Sequence, residues 1–159
     1  MIGLFGGSKK ARDNASSTIT ENLQIQLGGY IKAGILVGII QQGPYVAGYI
    51  QGKLLYLSTY FTKAEGLPAE DAQGVTGMVL LNLFGKIQAM VVSQTLRAHS
   101  GNRSSQFLDG QRKGMQVVAY AVGAQDVRLD PDYERAIATF QAMDNRYGSG
   151  SESNDHWAA

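Results

Sequence analysis

Apolar side chains recur at steps of three and four residues through most of this chain, and this spacing limits the possible folds more than any other feature of the sequence. Residues at those steps lie on one face of an α-helix, so the pattern is typical of helices that bury one side. Prolines at Pro44, Pro68 and Pro131 interrupt the pattern where the first turn of a new helix would fit. We therefore predict an all-α protein, an antiparallel bundle of about five helices joined by short turns.

The length of 159 residues suits one domain with terminal extensions. We predict a flexible N-terminal arm over residues 1–16, a single helical domain over residues 17–147 and a flexible C-terminal tail over residues 148–159. Both ends are rich in Gly and polar residues and lack a periodic apolar face. Thr18 and Glu21 have the spacing of a capping box, so the first helix is expected to begin near Thr18.

The helix that follows Pro68 carries apolar residues in almost every direction around its axis, including Val75, Leu81 and Ile87. A helix of this composition is normally covered by neighbours on all sides. We expect it to be the buried central helix of the bundle and to end near Gly101.

Glycines stand four residues apart inside the predicted helices, at Gly34 and Gly38 and again at Gly48 and Gly52. A glycine inside a helix costs about 1 kcal/mol relative to alanine, so each pair is expected to make a compensating contact. Such pairs allow two helix backbones to approach closely. We predict that the first two helices pack against each other through them; helix contacts between subunits are the alternative.

Four tyrosines of the second predicted helix fall within an arc of about 60° on its surface. Tyrosine is enriched at protein interfaces because its ring is apolar and its hydroxyl seeks a polar partner. We predict a partner-binding surface there, and the alternative is that the tyrosines line the edge of the core. The four residues are Tyr45, Tyr49, Tyr56 and Tyr60.

A basic segment spans the turn between the third and fourth predicted helices, over residues 97–113. Arginine and hydroxyl groups close to a helix N-terminus can hold a phosphate or another anion. The same Ser, Gly and Asn composition is also typical of an ordinary helix-to-helix turn, which is the alternative. The candidate anion-binding residues are Arg97, His99, Ser104, Arg103, Arg112 and Lys113.

The sequence carries few groups that could support catalysis or hold a metal. It has no cysteine, which excludes disulfides, thiol catalysis and cysteine-ligated metal sites. Only His99 and His156 are available to a histidine-based zinc site, and no paired carboxylates or nucleophile motif stand out. We expect no cofactor, no metal and no enzymatic activity, although groups that converge only in three dimensions stay open as an alternative.

The distribution of charge and hydropathy predicts a cytoplasmic protein. The net charge is +1, which argues against general binding to nucleic acid or to a membrane surface. The first ten residues place apolar residues before a basic pair, the reverse of a secretory signal. Residues 33–52 are uncharged and approach the length of a membrane span, but Gly43 and Pro44 divide them.

These observations favour a non-enzymatic helical subunit or adaptor that acts by self-association or by binding a protein partner within a larger assembly. The expected partner is either a second copy of the chain, in a homo-oligomer, or a different protein. Two alternatives remain from other classes. One is an anion- or nucleic-acid-binding helical protein that uses residues 97–113, and the other is a small-molecule-binding bundle or an unassigned enzyme.

Overall fold

The computed structural model describes residues 2–32 and 34–124, with side chains over residues 8–32 and 34–118. This part of the chain is all-α, as predicted, and contains no strand. A 3₁₀ turn covers Ala69–Asp71. The helix predicted after Pro131 and the tail over residues 148–159 lie outside the described residues. The helices are α1 Ile2–Lys32, α2 Leu36–Gln42, α3 Pro44–Ala64, α4 Ala72–Asn102 and α5 Ser105–Ala124.

The first helix starts far earlier than the capping box suggested. It begins at Ile2, so the start predicted near Thr18 is wrong, and residues 2–16 of the predicted flexible arm are helical. The hydroxyl of Thr20 donates a hydrogen bond to the carbonyl of Ser16 at 2.7 Å, as hydroxyl side chains do inside a helix. Ala15 and Ser16 are buried. Helix α1 contacts α4, and its buried residues include positions before the local start signal.

Pro44 behaves as the sequence indicated, whereas Gly34 does not. Pro44 occupies the first turn of α3, where its missing N–H removes no helical hydrogen bond. Gly34 separates α1 from α2 with a φ of +76°, a conformation in which a side chain would be strained. The prediction that Gly34 lies inside a helix is therefore wrong, because the chain forms two separate helices around it.

The core lies between α1, α3 and α4, and α5 packs directly against α3. Aliphatic side chains from all of these helices are buried at the centre, where removal of apolar surface from water supplies the main stabilising free energy. Among them are Ile19, Leu23, Leu27, Val46, Ile50, Leu54, Leu57, Val79, Val92, Leu96 and Val118.

One of the two predicted glycine pairs, Gly48 and Gly52, makes a close helix contact, but its predicted partner helix was wrong. A β-carbon at Gly48 would collide with the carbonyl oxygen of Phe107, and one at Gly110 would collide with that of Tyr45. Gly34 and Gly38, in contrast, have nothing within 4 Å of a β-carbon. Four glycines, two from each helix, form the contact between α3 and α5: Gly48, Gly52, Gly110 and Gly114.

The same contacts give the relative direction of α3 and α5. Gly48 faces Phe107, and Gly52, one turn later, faces Gln111. Residue numbers rise together along both helices, so this pair is parallel. It is an exception to the antiparallel arrangement expected from short connections, and it is possible because α4 runs between the two helices in the chain.

Helix α4 is not the fully buried central helix that its composition predicted. Gly85, with φ of 79° and ψ of 173°, breaks it into a first segment over residues 72–84 and a second over residues 86–102. Each segment buries one face, while Leu81, Ile87 and Met90 are exposed. The neighbouring helices of the described part cover only one side of each segment, although apolar residues surround both.

Candidate functional site

The predicted tyrosine surface is divided between two environments. Tyr49 is fully buried, so it belongs to the core and the prediction of a partner-binding surface does not extend to it. Tyr45 is half-buried at the α3–α5 contact. Tyr56 and Tyr60 lie two turns further along α3, with rings stacked at 6.5 Å, and Tyr60 is 43% exposed. Of the four tyrosines, Tyr60 is thus exposed, Tyr45 and Tyr56 are half-buried, and Tyr49 is inaccessible.

Two residues of the predicted anion site, His99 and Ser104, make contacts within the fold. The Nε2 atom of His99 lies 3.1 Å from the carbonyl oxygen of Ile40, and its ring stacks on Phe107 at 6.3 Å between centroids. His99 thus ties α4 to α2 and α5. The hydroxyl of Ser104 accepts a hydrogen bond from the backbone N–H of Phe107 at 3.2 Å, which caps the first turn of α5.

The cations of the basic segment do not share one environment. Arg112 donates to the carboxylate of Asp109 at 3.0 Å, and Lys113 is half-buried and engaged within the chain. Arg97 and Arg103 are exposed, and neither forms an ion pair within the described residues. Arg103 ends α4 in the left-handed conformation with a φ of 51°. Among the six candidates, Arg97 is the one that lines the cavity between α3 and α4.

That cavity, the α3–α4 cavity, has a volume of about 790 Å³, within the range of small-molecule sites. Its walls come from residues 51–59 of α3, from the turn before α4 and from both segments of α4. In a straight helix, Ala72 and Ser100 would lie about 40 Å apart, so the break at Gly85 is what brings both segments to one cavity. Sequence reasoning missed this cavity because periodicity does not reveal a bend.

A second feature is a set of exposed apolar side chains on either side of the break at Gly85: Leu81 on the first segment of α4 and Ile87 and Met90 on the second. We call these three residues the α4 apolar surface. Their exposed fractions are 51%, 78% and 58%. Ile87 and Met90 are three residues apart and therefore share a helix face. Between residues 75 and 96, Lys86 carries the only charge. The sequence contains the signal for this surface, but an apolar pattern on all sides of a helix is equally typical of burial.

By length and composition, Ala69–Asn102 could cross a membrane, and 28% of its most apolar window is buried. A second candidate span exists if Ser8–Lys32 and Leu36–Gln42, bent by 91°, are counted as one. The core helix of a soluble protein meets the same criterion. In this structure the break at Gly85 and the adjacent Lys86 interrupt the apolar stretch at its middle.

The structure buries a lysine, Lys53, that the sequence analysis did not single out. Lys53 is 1% exposed, and its ammonium donates to the side-chain carbonyl of Gln26 and lies 5.2 Å from the centre of the Tyr49 ring. Buried ammonium groups are tolerated when such partners replace water.

Among residues with described positions, no three His, Asp or Glu side chains are grouped to hold a metal ion.

No family model, no curated protein and no solved structure matches this chain. The features of this chain that bear on function are therefore the α4 apolar surface and the α3–α4 cavity.

Proposed function

We propose that this chain is a helical subunit that self-associates through the α4 apolar surface. The observation that carries the proposal is the exposure of Leu81, Ile87 and Met90 on a helix whose apolar residues would normally be covered. Association removes these side chains from water without any change in the fold of the described part.

The chemistry around this surface supports a second copy as the occupant. Gln88 and Gln94 are exposed on the same segment of α4 as Ile87 and Met90, and an amide side chain both donates and accepts hydrogen bonds. A surface of apolar and amide groups is complementary to itself, as a two-fold symmetric contact requires. Lys86 is the only charged residue between residues 75 and 96, so this surface offers little to a strongly charged partner.

Energetic considerations indicate a reversible association. Full burial of an aliphatic or Met side chain contributes about 1.5–3 kcal/mol, and a symmetric dimer buries the three residues of both copies. Because these side chains are already partly covered, the total is comparable to the cost of association, about 4–15 kcal/mol. We therefore expect the oligomer to depend strongly on protein concentration.

The test is the solution mass of the full chain over a wide concentration range, measured by sedimentation equilibrium. The wild type should form dimers or larger species, and Ile87→Lys with Met90→Lys should remain monomeric with unchanged helical circular dichroism. Asn14→Lys with Gln24→Lys is the matched control, because it adds the same charge at exposed positions of α1. This control should associate like the wild type.

Two results would overturn the proposal. One is a wild type that stays monomeric at the highest concentration. The other is a wild type that is monomeric and floats with neutral lipid vesicles, while the Ile87→Lys, Met90→Lys variant does not float, since the surface would then face lipid.

Polyanion binding by residues 97–113 stays a prediction with less support, because His99 and Ser104 have contacts within the fold and Arg112 pairs with Asp109.

A further inference from the structure

The lining of the α3–α4 cavity combines apolar and polar side chains. Leu54, Leu80 and Leu96 border the cavity but are almost fully buried, and Leu55, which is 43% exposed, presents apolar surface at the middle of the α3 wall. The remaining lining is mostly hydroxyl and amide side chains, such as Gln51 and Gln73. Ligand sites typically show this combination, because the apolar surface supplies affinity and a few polar groups fix the orientation.

Two charged residues lie at opposite ends of this cavity. The hydroxyls of Ser58 and Thr76 are 2.6 Å apart, which places the start of α4, and Glu70 with it, beside the C-terminal part of α3. At the other end, the bond of His99 to the carbonyl of Ile40 holds the end of α4, including Arg97, near the N-terminal part of α3. The wall between them, residues 51–59 of α3, is about 12 Å long.

The Arg97 end is suited to an anion. Ser93, Arg97 and Ser100 all line the cavity and lie within a narrow arc of one helix face. A guanidinium with two hydroxyls offers several donors to a carboxylate. Arg97 forms no ion pair within the described residues, so these donors remain accessible.

The Glu70 end is suited to a cation. Glu70 is exposed, lines the cavity and has no ion-pair partner in the described part of the chain. Gln73 lines the same end and can donate or accept hydrogen bonds. Two opposite charges that share a cavity without pairing are each free to meet a charge of the ligand.

We propose that the α3–α4 cavity binds a linear zwitterion, with its carboxylate at Arg97, its ammonium at Glu70 and its apolar middle on Leu55. A peptide of about three residues with free termini has this chemistry and spans about 10 Å when extended. An ω-amino carboxylic acid of similar length has the same charges without peptide groups. The site is independent of the self-association proposed above.

The test is calorimetric titration of the full chain with an alanine-leucine-alanine tripeptide. The free tripeptide should bind, and both its C-terminal amide and its N-acetyl form should bind at least about tenfold more weakly, since each loses one charge-assisted contact. If the ω-amino acid binds as well, the two charges suffice; if it does not, the peptide groups contribute to recognition through Gln51 and Gln73.

Variants assign each end. Arg97→Gln should lower the affinity for the free tripeptide by about tenfold or more, and this variant should bind the free and the C-terminally amidated tripeptide equally well. Glu70→Gln should bind the free and the N-acetylated tripeptide equally well. Arg103→Gln, which changes an exposed arginine outside the cavity lining, should bind like the wild type. The proposal is overturned if neither zwitterion binds at millimolar concentration, or if capped and free tripeptides bind equally to the wild type.

Discussion

Thr62 places a hydroxyl in the core that makes no hydrogen bond within the described part of the chain. The residue is 1% exposed, so water does not compensate for the missing partner. A buried polar group of this kind costs about 1–3 kcal/mol. Thr62→Val keeps the shape of the side chain and removes the hydroxyl, so we predict that it raises the free energy of unfolding by about 1 kcal/mol, measured by urea denaturation.

The matched control is Thr62→Ser, which keeps the hydroxyl and removes the methyl group. It should lower the free energy of unfolding by about 1 kcal/mol, because it leaves the polar group buried and opens a small cavity. Equal destabilisation by Thr62→Val and Thr62→Ser would show that the hydroxyl does have a partner.

The contact between α3 and α5 depends on glycine at the scale of whole helices. A β-carbon at Gly110 would overlap the carbonyl oxygen of Tyr45, a backbone atom that cannot turn away as a flexible side chain could. The two helices must then separate along their length. We predict that Gly110→Ala lowers the free energy of unfolding by about 3 kcal/mol or more, measured by thermal and urea denaturation.

Gly74→Ala is the control for this prediction. Gly74 lies in α4 and is exposed, and a β-carbon there would have no neighbouring atom within 4 Å, so alanine only adds helix propensity. This change should raise the free energy of unfolding by about 0.5–1 kcal/mol. Similar effects of both substitutions would mean that the α3–α5 contact is less close than the structure shows.

At the scale of the whole molecule, the effect of salt distinguishes association through the α4 apolar surface from binding through exposed cations. Association through the α4 apolar surface involves little charge and is expected to persist or strengthen as salt is added. Polyanion binding through exposed cations such as Arg97 and Arg103 would instead weaken steeply, because salt reduces the gain from counterion release.

We therefore predict that the thermal midpoint of the wild type rises with protein concentration, because a species bound only to the folded state stabilises it. This rise should be at least as large in high salt as in low salt. Scanning calorimetry at two protein concentrations and two salt concentrations measures both. A midpoint independent of concentration contradicts self-association, and a rise seen only at low salt would assign the association to charged residues instead.

The sequence by itself determined the class of fold and several helix ends. The steps of three and four residues predicted helices, and Pro44 and Pro68 stand where one helix is separated from the next. The end of α4 at Asn102 lies one residue beyond the predicted Gly101. These features were accessible because backbone geometry and helix capping depend on residues close together in the chain.

Only the tertiary structure decided which surfaces meet. Sequence identified the Gly48 and Gly52 pair but not its partners on α5, and it could not tell that Tyr49 is buried while Tyr60 is exposed. It also did not show that a break at Gly85 brings two segments of α4 to one cavity. Periodicity says which residues share a helix face, but the neighbour that covers the face is set by contacts between residues distant in sequence.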